Sequence, residues 1–292
     1  MKTISKKSSR PALGGHVSAA GGFDKIFDRG EAIGAEVVQI FVSSPRAWAV
    51  SQPSSELLKR YNERKKVSVI QSVHVHGTYL ANLGAESREL YQKSCKSVLD
   101  EFSVSNAIGA KSMIFHAGSR LGGPKVWLDQ VAASIKEVLQ KVPGKTFLAL
   151  ENAAGGGDKI GNQPEELAVI MKKVKSPRLK ICIDTAHALE SGLIPEYSPA
   201  GIKATLRDLD KTIGLENIVA LHINDSKTKP YSKHDRHENI GEGYIGLSGF
   251  RNLSKEKSLW HADWLLEVPG FENTGPDKKN VNIIKKIFDK SQ

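Results

Sequence analysis

The sequence predicts a single-domain α/β protein folded as a (β/α)8 TIM barrel. Eight short apolar runs rich in β-branched residues recur along the 292 residues. Their near-continuous hydrophobicity is typical of strands that are buried on both faces of a parallel sheet. Segments with a helical period of apolar residues lie between the runs. Eight strands alternating with helices over about 250 residues fit this barrel, and an open doubly wound sheet is the alternative.

The predicted elements follow one another at fairly regular intervals. The predicted strands are residues 13–18, 37–42, 67–76, 112–118, 146–152, 179–185, 218–225 and 264–270. The clearest helical patterns are residues 22–34, 86–109 and 126–142. Gly34, Gly109 and Gly144 stand at or just after the ends of these patterns, where helices commonly stop on glycine.

The chain is predicted to form one domain at residues 12–289, preceded by a flexible basic tail at residues 1–11. No low-complexity linker or break in composition divides it. Hydrophobic residues make up 39% and charged residues 25%, which is ordinary for a soluble globular protein. No apolar run approaches the ~20 residues needed to span a bilayer. No hydrophobic stretch of the signal-peptide type follows the basic N-terminus. We therefore expect no membrane partner.

Charge and cysteine content narrow the function further. The formal net charge of +10 suits a polyanionic partner such as nucleic acid, although many basic proteins bind nothing acidic. The two cysteines form no CxxC motif, which argues against a disulfide framework or a thiolate zinc site. A reducing, intracellular compartment is the better expectation.

Metal-competent side chains stand at or just after the ends of the later predicted strands. Those residues are His76, His116, Glu151, Asp184, His187, His222 and Glu267. In a parallel barrel all strand C-termini point to one rim, so these side chains are expected to converge on one mouth. Asp235 and His237, on the segment after the seventh strand, can reach the same mouth. A single histidine at a strand end is ordinarily a hydrogen-bonded polar residue. The repetition over six successive strands instead favours a metal site.

Ligand chemistry indicates the type of metal and reaction. Imidazole and carboxylate without thiolate suit zinc, with manganese or iron as alternatives. Nine candidate ligands are too many for one tetrahedral ion, whereas three ions with one bridging carboxylate would use them all. Multi-metal sites are a recurring solution for phosphodiester hydrolysis. Together with the basic charge, this pattern predicts a nucleic-acid hydrolase.

The motifs as a set resemble the endonuclease IV family of apurinic/apyrimidinic (AP) endonucleases, which are DNA repair enzymes. They occur in the family's order and span almost the whole chain. The matching stretches are GGHVSAAGG (14–22), SPRAW (44–48), HGTYLANLG (76–84), FHAGS (115–119), LENAAGGG (150–157), CIDTAHALESG (182–192), LHINDSK (221–227), DRHENIGEGYIG (235–246) and LLEVPG (265–270).

This resemblance implies a TIM barrel with three zinc ions, of which the third is zinc or manganese. The first ion would be held by His76, His116 and a shared Glu151. The second would take Glu151 with Asp184, His222 and Glu267, and the third would take His187, Asp235 and His237. Glu151 is also expected to be catalytic, as the group that orients or deprotonates the attacking water.

The resemblance also implies residues that contact DNA. Arg46 matches the arginine that the family places in the base stack, and Tyr79 and Leu80 match its minor-groove wedge. For Tyr79, ordinary core packing is the alternative. The segment after the seventh strand adds further cationic candidates for phosphate contact, although a solvated surface would explain them equally well in isolation. They are Lys227, Lys229, Lys233 and Arg236.

The predicted function is cleavage of the phosphodiester 5′ to an abasic site, which leaves a 3′-hydroxyl, together with trimming of blocked 3′ ends. The predicted partner is double-stranded DNA with abasic sites, bound by a monomer. The expected location is the cytoplasm, in association with the nucleoid, in a prokaryote, or the nucleus in a eukaryote. Two other functions remain open at this point. One is a metal-dependent sugar isomerase or epimerase on the same barrel, and the other is a non-catalytic protein that binds damaged DNA.

Overall fold

The computed structural model describes residues 10–120 and 126–289, and its eight long strands form a closed parallel barrel. Those strands are β1 (Leu13–His16), β2 (Val37–Phe41), β3 (Ser72–His76), β4 (Ser112–Phe115), β5 (Phe147–Glu151), β6 (Leu179–Asp184), β7 (Ile218–His222) and β10 (Asp263–Leu266). Each strand pairs with its neighbours in chain order, and β10 closes the barrel against β1. The predicted TIM barrel is therefore confirmed.

Helices surround the barrel on the outside. They are α1 (Lys25–Ala32), α2 (Ser55–Val67), α3 (Arg88–Ala107), α4 (Val126–Lys141), α5 (Pro164–Val174), α6 (Thr185–Ser191), α7 (Pro199–Thr212), α8 (Gly246–Leu253) and α9 (Lys278–Asp289). Serine side chains cap the starts of α2, α3 and α7 by accepting a backbone N–H three residues further on. Gly109 follows the last turn of α3 with φ at +62°, a left-handed conformation that glycine adopts without steric cost.

Most predicted strands extend beyond the observed ones, and one of them also begins several residues too early. The run at 67–76 was predicted as a single strand, but Val67 is the last residue of α2 and β3 begins only at Ser72. Val67 is 77% exposed and Val69 is 67% exposed, so these β-branched residues lie outside the sheet. Hydrophobic residues on a surface are common, because polar residues cannot cover a whole protein.

The barrel interior is apolar in its middle and polar at its lower end. A buried cluster that includes Val37, Ile114 and Leu265 fills the middle. Below it, His74 contacts Ser112 at 2.8 Å and Asp263 at 2.8 Å. These hydrogen bonds satisfy polar groups at the N-terminal ends of the strands and close the barrel on that side. The opposite rim, at the strand C-termini, is therefore the open one.

A short hairpin rises from that open rim. Strand β8 (Asp225–Ser226) pairs antiparallel with β9 (His237–Glu238), and residues 227–236 connect them. The Asp225 carboxylate accepts several backbone N–H groups from residues 241–246, which fixes the chain that follows β9. The predicted basic segment therefore extends from a hairpin whose two strands are anchored by hydrogen bonds.

The first nine residues of the predicted tail lie outside the described residues. Arg10, which the prediction also placed in the tail, instead lies against the barrel, where its guanidinium donates to both carboxylate oxygens of Glu36 at 2.6 and 2.7 Å. Within residues 10–120 and 126–289, no helix combines the length and apolar character that a membrane crossing would require.

Candidate metal centre

Six strand ends and the hairpin bring the nine predicted ligand side chains together at the barrel mouth. Glu151 is the last residue of β5, and Asp184 is the last residue of β6. Asp184 also caps α6 by accepting the backbone N–H of His187 at 2.8 Å. This cap places His187 beside the rim, and the hairpin brings Asp235 and His237 across from it.

Glu151 lies at the centre of the site. Its Oε2 is 3.3 Å from His76 Nε2 and 3.4 Å from His116 Nε2. Its Oε1 is 2.8 Å from His222 Nδ1. The carboxylate therefore presents one oxygen to each of two groups of ligand atoms, as a bridging ligand would.

The second group of candidate ligands surrounds Oε1 of Glu151. Ligand atoms of Glu151, Asp184, His222 and Glu267 all lie within 4.8 Å of one another. His222 Nδ1 is 3.3 Å from Glu267 Oε2 and 3.9 Å from Asp184 Oδ2. Three carboxylates around one imidazole form a donor set that suits a divalent cation.

The third group differs in part from the predicted set. Ligand atoms of His187, His237 and Asp184 lie within 4.8 Å of one another, so Asp184 stands between the second and third groups. The predicted ligand Asp235 is also close, with Oδ1 3.3 Å from His187 Nε2 and 3.6 Å from His237 Nε2. Its side chain is 61% exposed, which leaves it room to adjust.

The histidines are held in orientations that fit metal binding. His76 Nδ1 lies 2.7 Å from the Gly77 carbonyl, His187 Nδ1 lies 3.0 Å from the Asn152 carbonyl, and His222 Nε2 lies 2.8 Å from Gln39 Oε1. Occupying one ring nitrogen in this way fixes the tautomer and directs the other nitrogen to the metal.

Two buried ring nitrogens that face Asp235 have no hydrogen-bond partner among the described residues. They are Nε2 of His187 and Nε2 of His237. Buried polar atoms are normally satisfied. Nitrogens left open beside carboxylates, with no thiolate in the set, are consistent with bound cations such as zinc.

The carboxylates and imidazoles at the mouth shift one another's pKa values. Burial disfavours the charged form of Glu151, but the interaction with the His222 imidazole, 2.8 Å from Oε1, outweighs it and holds the carboxyl pKa well below its usual value. Desolvation lowers the pKa of His116 to about 4, which keeps that imidazole neutral. Burial also disfavours the charged form of His187, but the charges of Asp184 and Asp235 outweigh it and raise the pKa of His187 well above its usual value, so a metal ion that binds this imidazole would displace a proton.

Two positioning groups escaped the sequence-based prediction. Gln39, in the middle of β2, accepts at Oε1 from His222 and donates from Nε2 to Glu267 Oε1 at 2.5 Å. Asn224 donates to Asp184 Oδ2 at 2.6 Å and accepts the backbone N–H of Glu267 at 2.7 Å. The sequence feature that could have pointed to Gln39 is the polar amide that interrupts the apolar run VVQIF.

The predicted DNA-contacting side chains surround this mouth. Tyr79 is 59% exposed, and its ring meets those of His76 and Phe41 edge-on with centroids 5.5 Å apart. It is therefore not a core residue. Arg46 is exposed on the loop after β2, and Leu80 is partly buried next to Tyr79.

All four predicted basic residues of the hairpin are exposed. Lys233 and Arg236 line a cavity of about 330 Å³ together with Tyr79, His116 and His187. Lys227 and Lys229 are not among the described residues that line this cavity. Lys159, which was not predicted, does line the cavity and adds to its positive charge.

The chain is similar to known proteins in sequence and in fold. A family model described as the xylose isomerase-like TIM barrel matches residues 27–286. This match defines the class of the protein. The chain is also 36% identical over 276 residues to "Probable endonuclease 4" of Halothermothrix orenii, an alignment that covers 94% of this chain and 99% of that protein.

Solved structures point the same way. The crystal structure of endonuclease IV from Thermus thermophilus has a TM-score of 0.84 at 29% identity and covers 96% of this chain and 100% of that one. A D-tagatose 3-epimerase-like protein has a TM-score of 0.66 at 17% identity over 96% of both chains, which shows the fold alone. The chain belongs to the endonuclease IV family. The predicted family and enzyme class, an endonuclease, are thereby confirmed, and the sugar isomerase or epimerase is the less supported function.

Proposed function

We propose that the protein is a metal-dependent AP endonuclease that cleaves the phosphodiester 5′ to an abasic site and leaves a 3′-hydroxyl. Trimming of blocked 3′ ends is the same chemistry at a strand terminus and belongs to the proposal. The observation that carries it is the placement of Glu151 and Asp184 between three adjoining ligand groups at a basic mouth. A sugar isomerase or epimerase would need only one or two ions and would leave the third group and the basic mouth without a role.

The proposed cofactors are three divalent ions, zinc at the first two sites and zinc or manganese at the third. The first and second ions would share Glu151. The ligands of the three ions would be those implied by the family resemblance, with Asp184 near enough to serve the third as well. Such ions, when bound, activate a water molecule and neutralise charge on the attacking and leaving oxygens of a phosphodiester.

The protein's own side chains would bind and orient the substrate. Lys233 and Arg236 line the cavity beside the third ligand group, where a cation can pair with a phosphate oxygen. Glu151 has a carboxylate held ionised at the centre of the site, so it can accept a proton or orient the attacking water through one oxygen.

Arg46, Tyr79 and Leu80 would act on the duplex rather than on the phosphate. Exposed aromatic and apolar side chains can wedge into a base step and kink the helix. An abasic nucleotide has no base to unpair, so extruding it requires less energy than extruding an intact one. The exposure of Tyr79 beside the ligand groups supports this role.

The deciding experiment is incision of a duplex that contains one synthetic abasic site, with the intact duplex as the control. We expect a single cut 5′ to the abasic site with a 3′-hydroxyl product, abolished by chelation and restored by zinc. Tight binding to the abasic duplex without incision would instead identify a non-catalytic damage-binding protein. Failure to bind or cut would overturn the proposal. The enzyme is proposed to act as a monomer, in the cytoplasm and on nucleoid DNA in a prokaryotic cell.

A further inference from the structure

Glu101 is a buried carboxylate in helix α3 that touches two loops at the mouth. It is 1% exposed. Its Oε1 accepts a hydrogen bond from the hydroxyl of Ser43 at 3.0 Å, in the loop after β2. Its Oε2 accepts the backbone N–H of Thr78 at 3.1 Å, in the loop after β3. One side chain therefore joins two segments that the barrel holds on neighbouring strands.

The two loops are also hydrogen-bonded directly to each other. The Pro45 carbonyl accepts from Thr78 Oγ1 at 2.8 Å and from the backbone N–H of Tyr79 at 3.2 Å. Arg46 directly follows Pro45 in the chain. The side chains proposed to enter the duplex, Arg46 and Tyr79, thus extend from one hydrogen-bonded unit that rests on Glu101.

Burying a carboxylate at this position costs free energy. Burial raises the pKa of Glu101, which shows that the surroundings disfavour its charge. An apolar side chain of similar size would avoid that cost. What the carboxylate supplies is two acceptors aimed at two separate loops, and Thr78, whose N–H it accepts, is itself buried.

We propose that Glu101 is the positioning residue that holds the two insertion loops as one rigid unit. Arg46 and Tyr79 would then meet the same damaged step in a fixed mutual arrangement, without loop ordering at the moment of binding. Preorganisation of this kind increases affinity by removing the entropy cost of ordering. The inference deepens the proposed function and rests on it.

Glu101 lies outside the candidate metal sites. Among the described residues, it belongs to none of the three ligand groups and does not line the cavity beside them. Its replacement is therefore expected to leave metal content unchanged. This separates a loop effect from loss of the catalytic centre.

The test uses two replacements of Glu101 and two reference variants. Glu101→Leu fills the space but removes both acceptors. Glu101→Gln keeps an acceptor for Thr78 and gains an N–H that can donate to the Ser43 hydroxyl. Ser43→Ala removes one contact only and is the milder variant if Glu101→Leu does not fold. Glu89→Leu, on the exposed face of the same helix, is the matched control.

The first measurement is amide hydrogen exchange of the full-length free protein. Loss of a buried hydrogen bond costs enough to speed local opening about tenfold. We expect that acceleration in Glu101→Leu at residues 43–48 and 77–80, a smaller one in Ser43→Ala, and none in Glu101→Gln or Glu89→Leu. Unchanged exchange at both loops in Glu101→Leu and in Ser43→Ala would overturn the inference.

The second measurement compares binding to abasic and intact duplexes at fixed salt. Glu101→Leu should reduce the ratio of the two affinities about tenfold with full metal content, and Glu101→Gln should restore it. An equal loss on both duplexes, or a loss of metal, would show a merely structural role and overturn the inference. If the wild-type protein neither prefers nor incises abasic DNA, the proposed function fails. In that case, the exchange experiment still decides whether Glu101 couples the loops.

Discussion

Gln39 Oε1 lies 2.8 Å from His222 Nε2, a hydrogen bond between residues 183 positions apart in the chain. The same amide donates to Glu267 Oε1 at 2.5 Å. An amide has one acceptor and one donor end, so this arrangement requires His222 to carry its proton on Nε2. The other nitrogen, Nδ1, is then free to act as a ligand beside Glu151.

Replacement of Gln39 by leucine is therefore expected to weaken metal binding without removing a ligand. Loss of such an outer contact typically lowers metal affinity about 10–100-fold. Competition between the protein and a zinc chelator of known affinity measures the change. Gln71→Leu, which alters an exposed glutamine before β3, is the control and should match wild type. Unchanged affinity in Gln39→Leu would remove Gln39 from the metal site.

The number of bound ions gives a second prediction. Elemental analysis of the wild-type protein should find close to three transition-metal ions per chain, mostly zinc, since nine candidate ligand side chains share the mouth. His237→Ala should lose about one of them, because it removes an imidazole from the third group. His234→Ala changes an exposed neighbour in the same segment and should retain all three. A single ion per wild-type chain would contradict the trinuclear site.

The charge of Glu151 gives a third prediction. Glu151→Gln preserves the size of the side chain but removes the carboxylate that faces two ligand groups. We expect turnover on abasic DNA to fall about a thousandfold, while affinity for that DNA stays near wild type. Single-turnover incision and a separate binding titration measure the two quantities, with Glu89→Gln as the control. A near wild-type incision rate in Glu151→Gln would show that its assigned role is wrong.

The sequence predicted the barrel and the convergence of the candidate ligand side chains because both depend on local patterns. Strand ends such as Glu151 and Asp184 follow apolar runs, and the parallel fold then brings them to one rim. The extent of β3 was predicted wrongly, because Val69 is apolar yet exposed. The hydrogen bond between Gln39 and Glu267 joins residues 228 positions apart in the chain. It depends on how the strands are aligned in the closed barrel, so no local sequence pattern predicts it.

Phosphate contact by the hairpin gives a fourth prediction. Lys233 is exposed and lines the mouth, so its ammonium group can displace counterions from the DNA backbone. Lys233→Ala should reduce the slope of log affinity against log salt by about one unit. It should weaken binding to intact and abasic duplex alike. Lys255→Ala, at an exposed lysine near the closed end of the barrel, should leave the slope unchanged.

Tyr79 gives the last prediction, because a wedge acts differently from a phosphate contact. Its exposed ring is held edge-on against His76 and Phe41, so the side chain is already placed beside the ligand groups before DNA binds. A wedge stabilises only the kinked, extruded duplex. Tyr79→Ala should therefore weaken binding to abasic DNA by an amount on the order of the unstacking cost, a few kcal/mol. Binding to intact DNA should barely change.

The measurement is affinity for both duplexes across a salt series, with Lys233→Ala run in parallel. The two variants should separate cleanly. Lys233→Ala should change the salt slope on both duplexes, whereas Tyr79→Ala should change the affinity for abasic DNA at every salt concentration and leave the slope alone. An equal loss of affinity on both duplexes in Tyr79→Ala would show that the ring does not read damage. Its role would then be limited to packing against the ring of His76 at the mouth.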